Sequence, residues 1–309
     1  MKSLISLISL LILLLLILPS PSTPYNVPLA TQLSFSQLGH ASLPSLLPLP
    51  TIKALNTAAK GALNSSRLLA LQQKLSVILD QPLAAIASNP KYSTPSKCKY
   101  HLSDHAVAFL QLFNLHRTHP PFTAITRSKT LASVATTLLD CPSVRLYQDS
   151  LFLKRPEDGP TNYHSDLRMA PFDTNDMVTF WIPFSTIPSD GTGLIFADKS
   201  HNDFALNFWD AEGGDLTGRY SESHHMPLAL GDATAHHGWC LHATDGFPNS
   251  PRLAYTISYV NAAAVVRKVT GKDEKGHGED EASYREWIGG VKPGRRIPDN
   301  HPHIPVIPC

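Results

Sequence analysis

The sequence predicts a mainly β protein with flanking helices, built on a double-stranded β-helix of the jelly-roll (cupin-like) type. Three observations predict it. Apolar residues recur at three- and four-residue steps only in the first half of the chain, as amphipathic helices require. After Pro142 the period falls to two, in short runs separated by Gly- and Pro-containing turns. Helices followed by short strands are the pattern of an antiparallel barrel or sandwich with its helices packed outside.

The chain has 309 residues, 42% hydrophobic and 17% charged, which allows a sizeable core and argues against wholesale disorder. Its net charge of +1, with no basic block outside a short C-terminal patch, gives no reason to expect a nucleic-acid partner. Cys98, Cys141, Cys240 and Cys309 show no CxxC spacing, which excludes a zinc ribbon or a thioredoxin-like site. A pairing such as Cys98–Cys141 is open to a chain in an oxidising compartment.

Met1-Lys2, an apolar run from Leu4 to Leu18, and Pro19-Ser20-Pro21-Ser22 read as a secretory signal peptide over residues 1–22. The run is shorter than the roughly 20 residues of a spanning helix, so membrane contact is expected only if the segment stays uncleaved. The expected destination is the secretory pathway: the lumen, the exterior, or a plastid reached through the endomembrane route. Residues 23–50, rich in Pro, Ser and Leu, read as a linker. Residues 51–265 read as a helical lead-in plus the β-helix domain, and 266–309 as a charged, Pro-rich tail. The sequence sets no oligomeric state.

Within the lead-in, Ala54, Leu55, Ala58, Ala59, Leu63, Leu68, Leu71, Leu75 and Ile78 mark helix, with Gly61 and Asn64-Ser65-Ser66 predicting a break. Further helices are predicted over about Ser103–His116 and Ser128–Leu139. Strands are predicted over Val144–Leu153, Met177–Phe184, Gly193–Ala197, His236–His242 and Arg252–Val260. In the last, Leu253, Tyr255, Ile257 and Tyr259 form a large apolar face. The opposite face carries Arg252, Ala254, Thr256 and Ser258, small and polar with one charge, and suits the lining of a ligand cavity.

The chemistry centres on Tyr163-His164-Ser165-Asp166. On a strand, residues two apart share a face, so His164 and Asp166 would project side by side. A second His from a distant strand would complete the 2-His-1-carboxylate face that suits non-haem Fe(II) and leaves positions open. His242 is the candidate, and Arg252 offers a fixed cation for a carboxylate-bearing cosubstrate. An HxD match alone is weak in a chain with 15 His. The ordered series is what gives it weight.

That series runs Tyr147 to Pro156, His164-Ser165-Asp166-Leu167, Pro171-Phe172, Trp181, Gly193 to Phe196, Ser200-His201, Gly231-Asp232, Leu241 to Gly246 and Pro251 to Val260. It resembles the phytanoyl-CoA dioxygenase family of Fe(II)/2-oxoglutarate oxygenases over roughly Val144–Val260. The resemblance implies that His164, Asp166 and His242 bind Fe(II) and that Arg252, helped by Thr244, pairs with the distal carboxylate of 2-oxoglutarate. A guanidinium fork suits that carboxylate better than an ammonium does. Gln148 or Lys154 is expected at the cosubstrate's other end, and Trp181 in the cavity wall. The implied reaction consumes O2 and 2-oxoglutarate, releases succinate and CO2, and hydroxylates a C–H bond of a small organic substrate, with ascorbate as a reductant.

Related halogenases lack the ligand carboxylate; Asp166 is present, which favours hydroxylation. Two departures stand out: Asp198-Lys199-Ser200-His201 replaces a Pro-Gly-Ser/Thr-His segment, and Ala243-Thr244 replaces Gly-Ser. Both leave the substrate open, as do the specificity loops expected at Leu167–Asp176 and Phe204–Met226. His224, His225, His236, His301 and His303 read as ordinary loop residues, His237 as a partner beside the ligands, His201 as a pocket candidate and Cys240 as a packed residue. A non-catalytic jelly-roll module binding metal or carboxylate is the alternative. Zinc hydrolysis at the same triad is a third reading, weakened by the lack of an HExxH motif.

Overall fold

The computed structural model describes residues 24–94, 110–156, 158, 160–203, 218–244, 251–267 and 287–309. The proposed signal peptide and Cys98 lie outside them. Among the described residues, Cys141, Cys240 and Cys309 are free.

The core is a seven-stranded antiparallel sheet facing a four-stranded one. In the large sheet the order is β1 (His40–Leu43), β9 (Ala233–His237), β6 (Met177–Pro183), β11 (Arg252–Asn261), β3 (Val144–Lys154) and β13 (Val306–Ile307), with β2 (Leu110–Phe113) also on β3. The small sheet runs β4 (Thr161–His164), β10 (His242–Thr244), β7 (Ile195–Ala197) and β8 (Glu222–His224). A two-stranded ribbon, β5 (Phe172–Asp173) with β12 (Val265–Val266), closes one end. This is the expected jelly-roll class.

Alternation assigns the faces of the large sheet. Val178, Phe180 and Ile182 of β6 and Tyr255, Ile257 and Tyr259 of β11 point outward into the main core. They meet α1 (Leu29–Leu38), the first half of α2 (Leu49–Ile78), α4 (Pro120–Thr126) and α5 (Lys129–Leu139). Helix α5 is capped by Ser128, whose hydroxyl accepts from the Leu131 amide. The six-residue α3 (Leu83–Ser88) packs on the second half of α2 through Ile86, Leu71 and Leu75.

Four expectations are corrected. Residues 23–50 are no linker: Phe35 of α1 and Ala41 and Leu43 of β1 are buried, and β1 pairs with β9 from His40↔His236 to Leu43↔Ala233. Apolar residues without charge here mark a buried edge strand. Helix α2 does not break at Gly61, which faces open space, and Ser65 returns its hydroxyl to the Gly61 carbonyl, which is compatible with helix. The helix predicted from Ser103 is, in its described part, β2 and a 3-10 turn at Leu115–Arg117. Asn114, at φ 57°, ends the strand, and its amide bonds the Asp149 carbonyl. The described end of the tail is part of the fold, since β13 pairs with β3 and Ile288, Ile297 and Ile304 are buried.

The fully buried Arg145 ties that end down. Its guanidinium donates to the carbonyls of Ile297 (2.7 Å), Pro298 (2.9 Å) and Ile304 (2.6 Å). Replacing it would leave three carbonyls without these donors. Arg145→Met is expected to lower unfolding free energy by about 2–4 kcal/mol, read from denaturant melts. An unchanged melt would show that the C-terminal segment adds nothing to the fold.

Candidate metal centre

The site lies where the two sheets face each other. His164 ends β4 and stands directly opposite His242 of β10, so the two rings share a face with centroids 4.3 Å apart. Asp166 is not on the strand as expected. Ser165 continues in extended conformation, and Asp166 then opens a one-turn helix, α6 (Asp166–Met169). Its Oδ1 lies 3.9 Å from His164 Nε2 and 3.7 Å from His242 Nε2. One donor atom from each of the three residues falls within 4.8 Å of the others.

The hydrogen bonds orient every donor. His164 Nδ1 donates to the Asn162 carbonyl (2.9 Å), and His242 Nδ1 donates to the Cys240 carbonyl (3.0 Å). Because a carbonyl only accepts, both rings carry their proton on Nδ1 and turn an Nε2 lone pair toward Asp166. On the carboxylate, Oδ2 accepts from Thr179 Oγ1 (2.7 Å) and from His236 Nε2 (3.1 Å). Ser258 in turn donates to Thr179 (2.9 Å). Oδ1 is left facing the two lone pairs. Two imidazole nitrogens and one carboxylate oxygen, each held from behind, form a donor set that fits a divalent first-row metal.

The electrostatics agree. Burial alone would raise the Asp166 carboxyl, but the imidazoles of His242, His236 and His164 outweigh it and hold the group well below the usual carboxylate range. Burial, with His236 and His164 adding to it, pushes the His242 imidazole well below its ordinary value. At neutral pH the centre therefore holds a carboxylate anion beside a neutral His242 ring.

A chain crossing between the sheets makes this possible. The single strand predicted over His236–His242 is two: β9 ends at His237 in the large sheet, and β10 starts at His242 in the small one. Gly238 makes the turn, and its amide bonds the Met177 carbonyl while its carbonyl accepts from the Leu167 amide. A Cβ on Gly238 would lie 2.8 Å from Met177 Cβ and 2.9 Å from Leu167 Cβ, so only glycine fits.

Along the inner face of the large sheet, Arg252 is buried and pairs in register with Lys154. Its guanidinium lies over the Trp181 ring at 5.2 Å and donates to Thr192 Oγ1 (3.3 Å), while Nε is buried without a partner. No carboxylate among the described residues pairs with it. Burial lowers its pKa to about 10, which keeps it charged at neutral pH. Lys154 Nζ donates to Thr244 Oγ1 (2.6 Å). Lys154 therefore stands at the Arg252 end and holds Thr244, rather than lying at the opposite end as expected. Gln148 pairs with Ser258 and lies at the metal end of the same face.

Sequence reasoning missed Thr179 and His236. The alternation Thr234-Ala235-His236 against the buried Ala233 and Ala235 was the available signal. His237 faces away, near Phe35 and His201. His201 is no pocket residue, since it is buried and bonds the Ser36 carbonyl. His301 is a turn residue whose Nδ1 accepts the amides of His303 and Ile304.

The family model for phytanoyl-CoA dioxygenase (PhyH) matches residues 58–250. The chain belongs to that family. A search of curated proteins gives no match. Among solved structures, the fold is similar to the non-haem α-ketoglutarate-dependent carbocyclase SnoK from nogalamycin biosynthesis, at 16% identity and TM-score 0.65 over 93% of this chain and 99% of that one. It is similar also to the epimerase SnoN in complex with Fe3+, α-ketoglutarate and nogalamycin RO, at 16%, 0.59, 90% and 97%. EctD from S. alaskensis with 2-oxoglutarate and 5-hydroxyectoine follows at 14%, 0.58, 90% and 88%. As a PhyH-family member with the His-Asp-His site present, the protein is in the class of 2-oxoglutarate-dependent oxygenases.

Two outcomes test the centre. Thr179→Val removes one donor to Asp166 and is expected to weaken Mn(II) or Fe(II) binding by roughly 10–100-fold in a calorimetric titration, with little change in folding. Burial also lowers the pKa of His225 to about 4 and of His237 to about 3, in the same direction as His242. The unfolded chain then binds more protons than the folded one below pH about 6.5. Stability of the metal-free protein should be level between about pH 7 and 8 and fall as the solution is acidified, with most of that histidine-linked fall between about pH 6.5 and 4. A flat profile would contradict neutral buried histidines.

Proposed function

We propose that the protein hydroxylates a C–H bond of a small organic substrate, using Fe(II), 2-oxoglutarate and O2, with ascorbate as a reductant. The observation that carries this reading is the convergence of His164 Nε2, Asp166 Oδ1 and His242 Nε2 on one point, with Arg252 buried further along the same cavity face. His164, Asp166 and His242 would hold the iron, which with 2-oxoglutarate as two-electron reductant would activate O2, the source of the oxidising equivalents.

The chain's own groups do the rest. Arg252, seated on Trp181, pairs with the distal carboxylate of the diacid, and Lys154 with Thr244 completes that cationic end. Thr179 and His236 keep the Asp166 carboxylate from rotating, so a single oxygen faces the centre. Phe196, buried between the His40, His236 and His242 rings, keeps water from the back of the site. Retention of Asp166 leaves no ligand position for a halide, which favours oxygen transfer. Structures of this fold include a carbocyclase and an epimerase, so product analysis is the test. The N-terminal apolar segment supports entry into the secretory pathway.

The protein loaded with Fe(II), 2-oxoglutarate and ascorbate should release succinate, and a hydroxylated product should carry one oxygen from 18O2. Asp166→Ala is expected to abolish succinate release; wild-type turnover by that variant would refute the ligand assignment. Arg252→Met is expected to raise KM for 2-oxoglutarate at least about tenfold while leaving metal affinity unchanged.

A further inference from the structure

Helix α2 carries a pattern that the oxygenase site does not use. Its 30 residues include Lys53, Lys60, Arg67 and Lys74, spaced seven apart, and no Asp or Glu. At 100° per residue, Leu49, Lys53, Lys60, Arg67, Lys74 and Ile78 fall within a sector of about 60°, along a helix about 45 Å long. Lys53, Lys60 and Lys74 are exposed, and Arg67 is half-buried. Aliphatic side chains close the stripe at each end: Leu49 is 50% exposed, and Val77 and Ile78, three and four residues beyond Lys74, are 82% and 62% exposed. Water-facing aliphatics at those values carry a cost that burial elsewhere would relieve.

A second observation lies mid-stripe. Where α2 crosses the ends of β3 and β11, a cavity of about 270 Å3 is lined by Leu63, Leu153 and Leu253 together with Lys60, Arg67 and Arg155. Arg67 Nε is enclosed there with no hydrogen-bond partner, and neither Lys60 nor Arg67 pairs with a carboxylate among the described residues. Arg155 is already paired with Asp158 (2.9 Å), which leaves Lys60 and Arg67 over a leucine floor, a fit for a phosphate attached to an apolar body.

We propose that α2 docks the protein flat on an anionic phospholipid bilayer, with a lipid phosphate in the Lys60–Arg67 cavity and Leu49, Val77 and Ile78 reaching the acyl boundary. No described helix is long and apolar enough to cross a membrane, so the contact is a surface one. The row of like charges matches a negative surface along its length. The exposed aliphatics at both ends favour a bilayer over an acidic protein or a nucleic acid, which would leave them in water.

The test is co-sedimentation of the full-length protein with vesicles of phosphatidylcholine alone and with 30% phosphatidylserine. The apolar run Leu4–Leu18 is common to every variant, so the quantity read is the anionic-over-zwitterionic ratio of affinities. The wild-type ratio should reach about tenfold or more at low salt and shrink as salt is added. Joint substitution Lys53→Gln, Lys60→Gln, Arg67→Gln and Lys74→Gln should bring it to about one, with helical circular dichroism retained. Val77→Ser with Ile78→Ser should weaken binding to the anionic vesicles several-fold. No preference for anionic vesicles, or one that survives the glutamine variant, overturns the proposal. Loss with the glutamine variant but full binding by the serine variant also overturns it, because Val77 and Ile78 then take no part in the contact.

Discussion

The centre depends on the chain leaving one sheet and entering the other within the five residues from His237 to Leu241. His236 stays in the large sheet and His242 begins in the small one, yet their rings lie 4.2 Å apart, on either side of the Asp166 carboxylate. Gly238 permits this because the backbone of the turn touches both Met177, which leads β6, and Leu167, which follows Asp166. The contact that makes the turn also sets α6 against it, and so places the carboxylate. A larger residue at 238 would act on the metal site through backbone displacement, without touching a ligand.

From that crossing follows a division of labour across the Asp166 carboxylate. The large sheet, through Thr179 and His236, saturates one oxygen; the small sheet, through His164 and His242, faces the other. An isolated carboxylate in such a place would protonate, because burial disfavours its charge. Neighbouring rings reverse that balance. The same face of the large sheet carries Arg252 as a buried charge without a carboxylate among the described residues, a state that costs free energy until an anion arrives. One end of this face is thus anionic and the other cationic.

Much of this was legible in the sequence wherever a side-chain period was clean. Arg252–Tyr259 alternates cleanly, so the large apolar face was read correctly, and the pairing of distant histidines followed from the order of motifs. Three kinds of information were not local. The stretch before Thr51 looked like a linker because an edge strand beneath a helix is apolar and uncharged, as a leader segment also is. The break at Gly238 depends on two side chains far away in sequence. The role of the C-terminal end rests on Arg145, a lone cation in an apolar strand, whose partners are backbone carbonyls that no composition reveals. Thr179 and His236 escaped notice for a related reason: an ordinary threonine and one of 15 histidines become informative only when the carboxylate they touch is known.

The metal set does not by itself decide what becomes of the substrate. A carbocyclase and an epimerase share this fold at 15–16% identity, so selection among outcomes falls to whatever positions the substrate carbon against the centre. In this chain Thr244 stands at the Arg252 end of the cavity face. Its hydroxyl is already engaged by Lys154 and by the Thr161 amide (3.2 Å), which ties the end of β10 to β3 and β4 at once. Three strands therefore meet at the cationic end. The segment after Asp166 is more open, with Met169 61% exposed.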